Sequence, residues 1–386
     1  MSYALAIPGP TGQRRNACPS LDAPMQTGDG LLARLRIKGS RLAPQQLRAI
    51  AELAQQHGNG LIEITARGNL QIRGLSQASH LPFAAAIRAI VPIEQGLVVE
   101  TPPLAGDDPH EIANPLPLAQ AIRERAAPLA SSLGPKVSVV VDGGGQISLA
   151  SLKADIRLLA LAHDHWVLAV GGGKPEPIRG DAVLKRVVQI LRDLSALGPA
   201  ARATDLSSSP EQRAVPLPFV PAGTFDLRQG SATGIALPFG SANAASLVAL
   251  SIAASHHGMT EFCLAPQHGL LAINAGPAFV DHANQLGFIT TPADPRTRIS
   301  ACIGRDGCAS GHIPARGLAA SLAASLPATT RLHLSGCAKG CAHPRRADVT
   351  LVGRPDGYGL VIGGTAGDTP RAVLRADQLE SALRQE

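Results

Sequence analysis

The sequence predicts an α+β protein built from two similar halves, and three observations support this fold class. Segments 200 residues apart repeat one strand–helix–strand pattern, and a second pair of segments repeats at a spacing of about 193 residues. Hydrophobic residues make up 45% of the 386 residues and charged residues 17%, a globular balance that excludes a largely disordered chain. A chain of this length is expected to form about two or three domains.

The first repeated segment predicts a strand, a helix and a return strand, in that order. Apolar residues alternate with other residues over 33–37, which is typical of a half-buried strand. Apolar residues then recur at helical spacing over 47–54, which predicts a helix that ends at Gly58. Residues 61–65 are the predicted return strand. The residues that recur 200 positions later are Leu47, Ala49, Ala54, His57, Gly58 and Leu70.

The second repeated pair lies farther along each half. Residues 154–158 match residues 347–351, and residues 166–172 match residues 358–364. The two halves therefore have the same order of parts, as a duplicated gene would give. Chance similarity between segments rich in alanine and leucine is the alternative.

Two proline-rich stretches, residues 101–117 and 207–222, indicate boundaries or crossing linkers. Together with the repeats, they divide the chain into two small and two large predicted parts. The parts are an N-terminal segment with a first small half-domain at 1–100, a first α+β domain at 101–206, a linker with a second small half-domain at 207–290, and a second α+β domain at 291–386.

Charge and hydropathy indicate which kinds of binding partner and which cellular compartment to expect. A formal net charge of +6 is consistent with an anionic ligand. Residues 1–8 lack the basic start of an export signal. The uncharged segment 229–260 is interrupted by Pro238 and Gly240, so it predicts a buried helix rather than a membrane span. We therefore expect a cytoplasmic protein with neither a membrane nor a nucleic-acid partner.

Four of the six cysteines form two close pairs near the C-terminus. Five residues separate Cys302 from Cys308, and three separate Cys337 from Cys341. Thiolates are soft ligands, and a cubane iron–sulfur cluster requires four of them, so a [4Fe–4S] cluster is favoured. Two alternatives stay open: a structural zinc ion, whose paired cysteines usually lie closer, and two disulfides, which the cytoplasm disfavours.

Other positions carry weaker signals. Cys18 has no assignment, whereas Cys263 lies in an apolar strand, where buried thiols are common. Residues 142–145, Asp-Gly-Gly-Gly, lack the spacing of a phosphate-binding loop, so a tight turn is the better interpretation. His268 and His343 are candidate iron ligands or proton donors, although a lone histidine is more often structural.

Basic residues occur at two places that suit an anionic ligand. Arg67 and Arg73 are an even number of positions apart, so on a continuous strand they would share a face. Planar guanidinium groups suit carboxylates, which predicts a ligand with several carboxylates; solvated surface arginines are the alternative. The basic residues within or just beyond the cysteine pairs are Arg305, Lys339, Arg345 and Arg346.

Motifs spread over nearly the whole chain resemble the sulfite and nitrite reductase superfamily. They are the two cysteine pairs, the duplicated order of parts and the stretches 17–21, 27–32, 65–74, 136–145 and 335–343. The resemblance implies a pseudo-twofold ferredoxin-like domain formed by the two small halves, two larger α+β domains beside it, and an active site where the three meet. In the siroheme reductases this cleft holds an iron tetrapyrrole, linked to the cluster by the cysteine that corresponds to Cys341. The implied cluster ligands are Cys302, Cys308, Cys337 and Cys341.

Within the superfamily, the sequence is more similar to the oxygen-dependent enzymes of aerobic cobalamin biosynthesis. This resemblance implies mono-oxygenation of precorrin-3A, a polycarboxylate tetrapyrrole: O2 supplies an oxygen atom at C20, and an acetate side chain closes a γ-lactone. It also implies a mononuclear non-haem iron and an electron donor of unknown identity. The candidate catalytic residues are Lys136 and His343, and the candidate substrate-binding residues are Arg67, Asn69, Gln71, Arg73, Arg305, Lys339 and Arg345.

Missing cations distinguish this chain from the reductases. Lys136 matches one of their basic positions, but Val137 and Ser138 follow it, so a second nearby lysine is absent. Segment 95–101 likewise lacks an arginine that the reductases place there. Holding an inorganic anion requires several such cations, so their absence favours the oxygen-dependent branch. A siroheme-dependent nitrite or sulfite reductase stays an alternative, as does a non-catalytic electron-transfer or zinc-stapled binding protein.

Overall fold

The structure is a computed structural model that describes residues 18–206 and 221–384. The sequence features at residues 1–8 and most of the proline-rich stretch at 207–222 lie outside these ranges. The described residues form four five-stranded sheets and eight α-helices. This confirms the predicted α+β class, and the four sheets fall into two similar pairs.

The first small unit is an antiparallel sheet covered on one face by two helices. Its central helix begins at Pro44 and ends before Gly58, whose backbone N–H still donates to the Ala54 carbonyl. Four of its strands stand in the order β1–β2–β5–β4. The elements are β1 (Met25–Thr27), β2 (Gly30–Leu35), β3 (Arg41–Leu42), α1 (Pro44–His57), β4 (Leu61–Ile64), β5 (Leu70–Leu75) and α2 (His80–Ile90).

The segment that carries Arg67 is a hairpin and not a continuous strand. β4 ends at Ile64, and β5 begins at Leu70. The Gly68 N–H donates to the Thr65 carbonyl at 2.9 Å, and Gly68 has a φ of +79°, a left-handed conformation that favours glycine. The expectation that Arg67 and Arg73 share a strand face is therefore wrong, because Arg67 lies in the turn while Arg73 lies on β5.

The first large unit combines three parallel strands with two antiparallel ones. Its sheet has the order β10–β9–β8–β7–β6, in which β6, β7 and β8 are parallel. Residues of α3 and α4 share its hydrophobic core with the strands. The elements are β6 (Val98–Glu100), α3 (Leu116–Ala126), β7 (Ser138–Asp142), β8 (Ile156–Ala162), β9 (His165–Val170), β10 (Glu176–Arg179) and α4 (Asp181–Leu197).

The second small unit repeats the first. Residues 244–256 of the uncharged segment form helix α5 as predicted, whereas its first part forms two strands. The Asn243 side chain accepts from the Ser246 N–H at 2.7 Å. None of the helices described is both long and apolar enough to cross a bilayer. The elements are β11 (Gly223–Asp226), β12 (Ser231–Ala236), β13 (Ser241–Asn243), α5 (Ala244–His256), β14 (Phe262–Ala265), β15 (Gly269–Ile273) and α6 (Pro277–Gln285).

The two small units exchange edge strands. β3 of the first unit pairs with β14 of the second, and β13 of the second pairs with β4 of the first. α1 packs against α5, and buried residues of both units form one core that includes Leu47, Leu247 and Phe262. The two units therefore form a single domain with a pseudo-twofold axis.

The second large unit repeats the topology of the first large unit. Its sheet has the order β16–β17–β18–β19–β20, again with three parallel strands followed by antiparallel ones. Cys302 directly follows β16, and Cys337 follows β17 by two residues, so the two cysteine loops begin at the same edge of the sheet. The elements are β16 (Ile299–Ala301), α7 (Ala315–Leu322), β17 (Leu332–Ser335), β18 (Ala347–Arg354), β19 (Gly357–Gly364), β20 (Ala372–Leu374) and α8 (Leu379–Arg384).

The shared core of the small units generates a stability prediction. Leu47 on α1 is 1% exposed, whereas Leu81 on α2 is 70% exposed. We expect Leu47→Ala to cost about 2–5 kcal/mol, because it leaves a cavity between the two units. Leu81→Ala, the matched control, should change stability by less than about 0.5 kcal/mol. Thermal unfolding measures both, and equal melting temperatures for the two variants would contradict the shared core.

Candidate active site at the junction of three units

The first small sheet has one apolar and one polar face. Its apolar face packs on α1 and α2 through residues such as Ala33 and Ile72. On the polar face, residues of four neighbouring strands stand side by side: Arg34 on β2, Gln71 on β5, Glu63 on β4 and Ser241 on β13. We call these four residues the polar row.

The second small sheet has the same register with different side chains. Gly234, Leu271, Cys263 and Arg41 stand where the first sheet has its polar row. Cys263 and Leu271 are packed against apolar residues of the first large unit. Burial raises the pKa of the Cys263 thiol to about 12, so this thiol stays protonated at neutral pH. The row of the second sheet is therefore mainly apolar, with Arg41 as its charged member, so the two sheets differ in the chemistry of this face.

Arg73 connects the polar face to the first cysteine loop. Its Nε and Nη2 atoms donate to the two carboxylate oxygens of Asp29 at 2.9 and 2.7 Å, and Nη2 also donates to the Gly307 carbonyl at 3.1 Å. Its Nη1 lies 3.6 Å from Glu63. Burial alone would raise the pKa of Asp29, but the hydrogen bonds from Arg73 and Thr27 and the charge of Arg73 together outweigh burial and hold that pKa below its usual value.

Arg316 connects the second large unit to the same face. It lies in the first turn of α7, and its Nη2 atom donates to Oε1 of Glu63 at 2.5 Å. Both side chains are largely buried. Glu63 thus lies between Arg73 of its own sheet and Arg316 of the second large unit.

Arg67 connects the polar face to the first large unit. Its guanidinium donates to the Glu100 carboxylate at the end of β6 and to the Lys153 carbonyl just before β8. Burial raises the pKa of Glu100, while Arg67 and Arg36 act against that shift. Arg67 is therefore bound to an internal carboxylate.

A small pocket of about 60 Å³ lies between the polar face and the first large unit. It is much smaller than the pockets of about 300–1,000 Å³ that typically hold small-molecule ligands. Arg123 forms an ion pair with Glu94 at 3.0 Å, and Arg36 donates to the Glu94 carbonyl. The charged or amide residues that line the pocket are Arg36, Arg67, Asn69, Glu94, Glu100 and Arg123.

The two cysteine loops are in direct contact. The Gly336 N–H donates to Sγ of Cys302 at 3.1 Å, and the His312 N–H donates to the Gly336 carbonyl at 2.8 Å. A Cβ at Gly336 would stand 2.9 Å from Cα of Gly304 and 3.3 Å from the Cys302 sulfur, so only glycine allows this approach. The loops thus form a cradle that provides a backbone N–H to a cysteine sulfur.

All four cysteines of the pairs are free thiols and interact electrostatically. Burial raises the pKa of Cys341, and the other three cysteines raise it further. In the parts of the chain that the structure describes, no three His, Cys, Asp or Glu side chains form a group that could hold a single metal ion. In a cubane each thiolate binds a different iron, so its ligands stand farther apart than those of one ion. The soft donor set and the glycine cradle fit such a cluster.

The remaining basic candidates around the loops are exposed. Lys339 donates from Nζ to Oγ of Ser310 at 2.9 Å, which ties the second cysteine loop to the first. Arg305 and Arg345 are exposed. On the polar face, Asn69 and Gln71 are both half-buried, and Asn69 lines the pocket described above.

The two candidate catalytic residues lie on different large units. Lys136 is half-buried just before β7, in the first large unit. His343 packs edge to face on His333, with the ring centroids 5.7 Å apart, and burial lowers its pKa. Nδ1 of His268 forms a hydrogen bond with the Ile64 carbonyl at 2.5 Å. This bond is a structural contact between the two small units.

Several charged residues of this site, and one cysteine, were missed by the sequence analysis. They are Asp29, Arg34, Arg36, Glu63, Glu100, Cys18 and Arg316. Arg34 and Arg36 had a signal, because they alternate with the buried residues of the predicted strand. Cys18 lies close enough to Arg34 to raise its pKa, against the lowering by burial. Arg316 had no signal, because its partner is 253 residues away in sequence.

Comparisons with known proteins agree with this architecture. Residues 23–90 match the protein family described as "Nitrite/Sulfite reductase ferredoxin-like half domain". The fold resembles the structure of the Mycobacterium tuberculosis NirA protein, with a TM-score of 0.68 and 19% identity over 92% of this chain and 79% of that one.

Two curated relatives cover most of the sequence. A ferredoxin–nitrite reductase of Synechococcus elongatus is 23% identical over 87% of this chain and 80% of that protein. A precorrin-3B synthase of Sinorhizobium sp. is 40% identical over 99% of this chain and 91% of that protein. With this identity over nearly its full length, the chain belongs to the precorrin-3B synthase family, a branch of the sulfite and nitrite reductase superfamily.

Proposed function

We propose that this chain, an oxidoreductase of cobalamin biosynthesis, oxygenates precorrin-3A at C20 with closure of a γ-lactone. The observation that carries the proposal is the polar face of the first small sheet. Guanidinium groups from β2, β5, the hairpin after β4, and α7 lie on this face, where the arginines outnumber the carboxylates. A macrocycle that carries several carboxylates is the complementary ligand.

The reaction requires an external source of electrons. One atom of O2 enters the macrocycle, and the other leaves as water, which takes up two electrons and two protons. A reduced electron carrier supplies the electrons.

The four paired cysteines are the residues that would hold a [4Fe–4S] cluster. When bound, the cluster supplies electrons one at a time. The backbone N–H of Gly336, which already donates to the Cys302 sulfur, stabilises negative charge there. A mononuclear iron has no matching ligand set among the residues described, so we derive no step through it.

The chain's own side chains would orient the substrate. Arg67 neutralises Glu100, so the buried carboxylate does not repel a carboxylate of the ligand. Lys339 ties the two cysteine loops together beside the cradle. The candidate donors Lys136 and His343 stay proposals for proton delivery.

Anaerobic purification followed by a single-turnover assay tests the proposal. We expect about four irons and four sulfides per chain from the cubane composition, no siroheme absorption, and conversion of precorrin-3A only when O2 is admitted. A siroheme spectrum with nitrite or sulfite reduction would favour the reductase alternative. Zinc without sulfide would contradict both enzyme assignments.

Substitution of the cluster cysteines gives a second prediction. Cys337→Ser and Cys341→Ser should each abolish cluster binding and activity, because a cubane requires four thiolates. Cys263→Ala is the matched control, since this thiol is fully buried and lies on the other sheet. Iron and acid-labile sulfide analysis measures the outcome, and a full cluster in both serine variants would disprove the ligand assignment.

Arg67 provides a third prediction. Arg67→Ala should spare the cluster and weaken precorrin-3A binding about tenfold or more, because it removes a cation from the polar face and leaves the buried Glu100 carboxyl without its guanidinium partner. Adding Glu100→Gln should restore part of the affinity. Arg48→Ala, an exposed arginine paired with Glu52 on α1, serves as the control. Unchanged affinity in Arg67→Ala would refute the role of this pair.

A further inference from the structure

Arg316 has donor atoms that its own fold leaves unused. Its side chain is 18% exposed, and its Nη2 atom donates to the Oε1 atom of Glu63. Its Nε and Nη1 atoms are buried and have no hydrogen-bond partner among residues 18–206 and 221–384. Buried N–H groups of a charged side chain are normally satisfied, because leaving them unpaired is costly. The arrangement thus calls for an additional acceptor.

Arg34, the member of the polar row on β2, also has a buried donor atom that is not used. It stands two strands from Glu63 in the register of the sheet, and its Nε atom is buried without a partner. Cys18 and Glu63 lie close enough to interact with its charge. Two guanidinium groups with unused donors therefore flank Glu63.

The arginines predicted from the sequence differ from these two. Arg73 already donates to Asp29 and to the Gly307 carbonyl, and Arg67 donates to Glu100 and to the Lys153 carbonyl. At the position of Arg34 the second small sheet has Gly234, where a Cβ would stand 2.6 Å from the Pro221 carbonyl oxygen. The second sheet has no room for an equivalent arginine at that place.

We propose that Arg316, together with Arg34, binds a carboxylate of the tetrapyrrole substrate. A guanidinium donates charge-assisted hydrogen bonds to carboxylates, and Nε and Nη1 are the donors of Arg316 that its contact with Glu63 leaves for such an acceptor. Because Arg316 belongs to the second large unit, which carries the cysteine loops, this contact would hold the macrocycle between the polar row and the cluster cradle. The inference rests on the proposed function, since it takes precorrin-3A as the ligand.

Affinity measurements on three variants test this inference. Precorrin-3A binding to the cluster-containing protein is measured without O2, by equilibrium dialysis at several salt concentrations. We expect Arg316→Gln to raise Kd about 10- to 100-fold and to reduce the salt dependence of Kd. Arg316→Lys keeps the charge but replaces the planar guanidinium by an ammonium group, so its Kd should fall between those of the wild type and Arg316→Gln. Arg384→Gln, which removes an exposed arginine of α8 in the same unit, should bind as the wild type does.

Steady-state kinetics separate a binding role from a structural role. Loss of a substrate contact should raise KM with little change in kcat, whereas loss of structure should lower the melting temperature and the cluster content. If Arg316→Gln does not fold, the same comparison applies to Arg316→Lys. Wild-type Kd and KM in a folded Arg316→Lys and Arg316→Gln would overturn the inference and leave the proposed function intact. Failure of the wild-type protein to bind precorrin-3A would overturn both.

Discussion

The architecture of the site depends on one buried carboxylate, Glu63. Arg316 of the second large unit donates to it, and Arg73 of its own sheet lies 3.6 Å away. A buried carboxylate is stable only when it is paired, and loss of a partner from such a pair typically costs about 3–5 kcal/mol. Glu63 therefore fixes the position of the second large unit, which carries the cysteine loops, on the polar face, and it does so without using all the donors of Arg316.

The duplication supplies the scaffold, and divergence of side chains supplies the site. The two small sheets have the same strand order and register, including the reciprocal exchange of β3 and β13. On the first sheet the outward face carries Arg34, Gln71 and Glu63, whereas the equivalent positions of the second carry Gly234, Leu271 and Cys263. A polar face can bind an acidic ligand, while an apolar one packs on a neighbouring unit. The duplicated fold therefore carries this guanidinium-rich surface on its first sheet, next to the cysteine loops.

The sequence predicted the repeated topology well, because periodicity and spacing are local properties of the chain. Such patterns predict β2, which was expected over 33–37 and is observed at Gly30–Leu35, as well as helix α1 and the strand that leads into Cys337. The hairpin at Arg67 was missed, because the return strand and the following strand have continuous β character and Gly68 alone indicates the turn. The ion pairs of Arg316 and of Arg67 were also missed, because residues 253 and 33 positions apart meet only through tertiary packing.

Hydrogen–deuterium exchange on the anaerobically purified protein, with and without precorrin-3A, tests most directly whether the polar face of the first sheet binds the tetrapyrrole. We expect the ligand to slow exchange in peptides that cover β2, the hairpin between β4 and β5, and the start of α7. Peptides that cover β11 and β12 should exchange at the same rate in both states. Slower exchange confined to the second small unit, or no change in either unit at saturating ligand, would contradict this account.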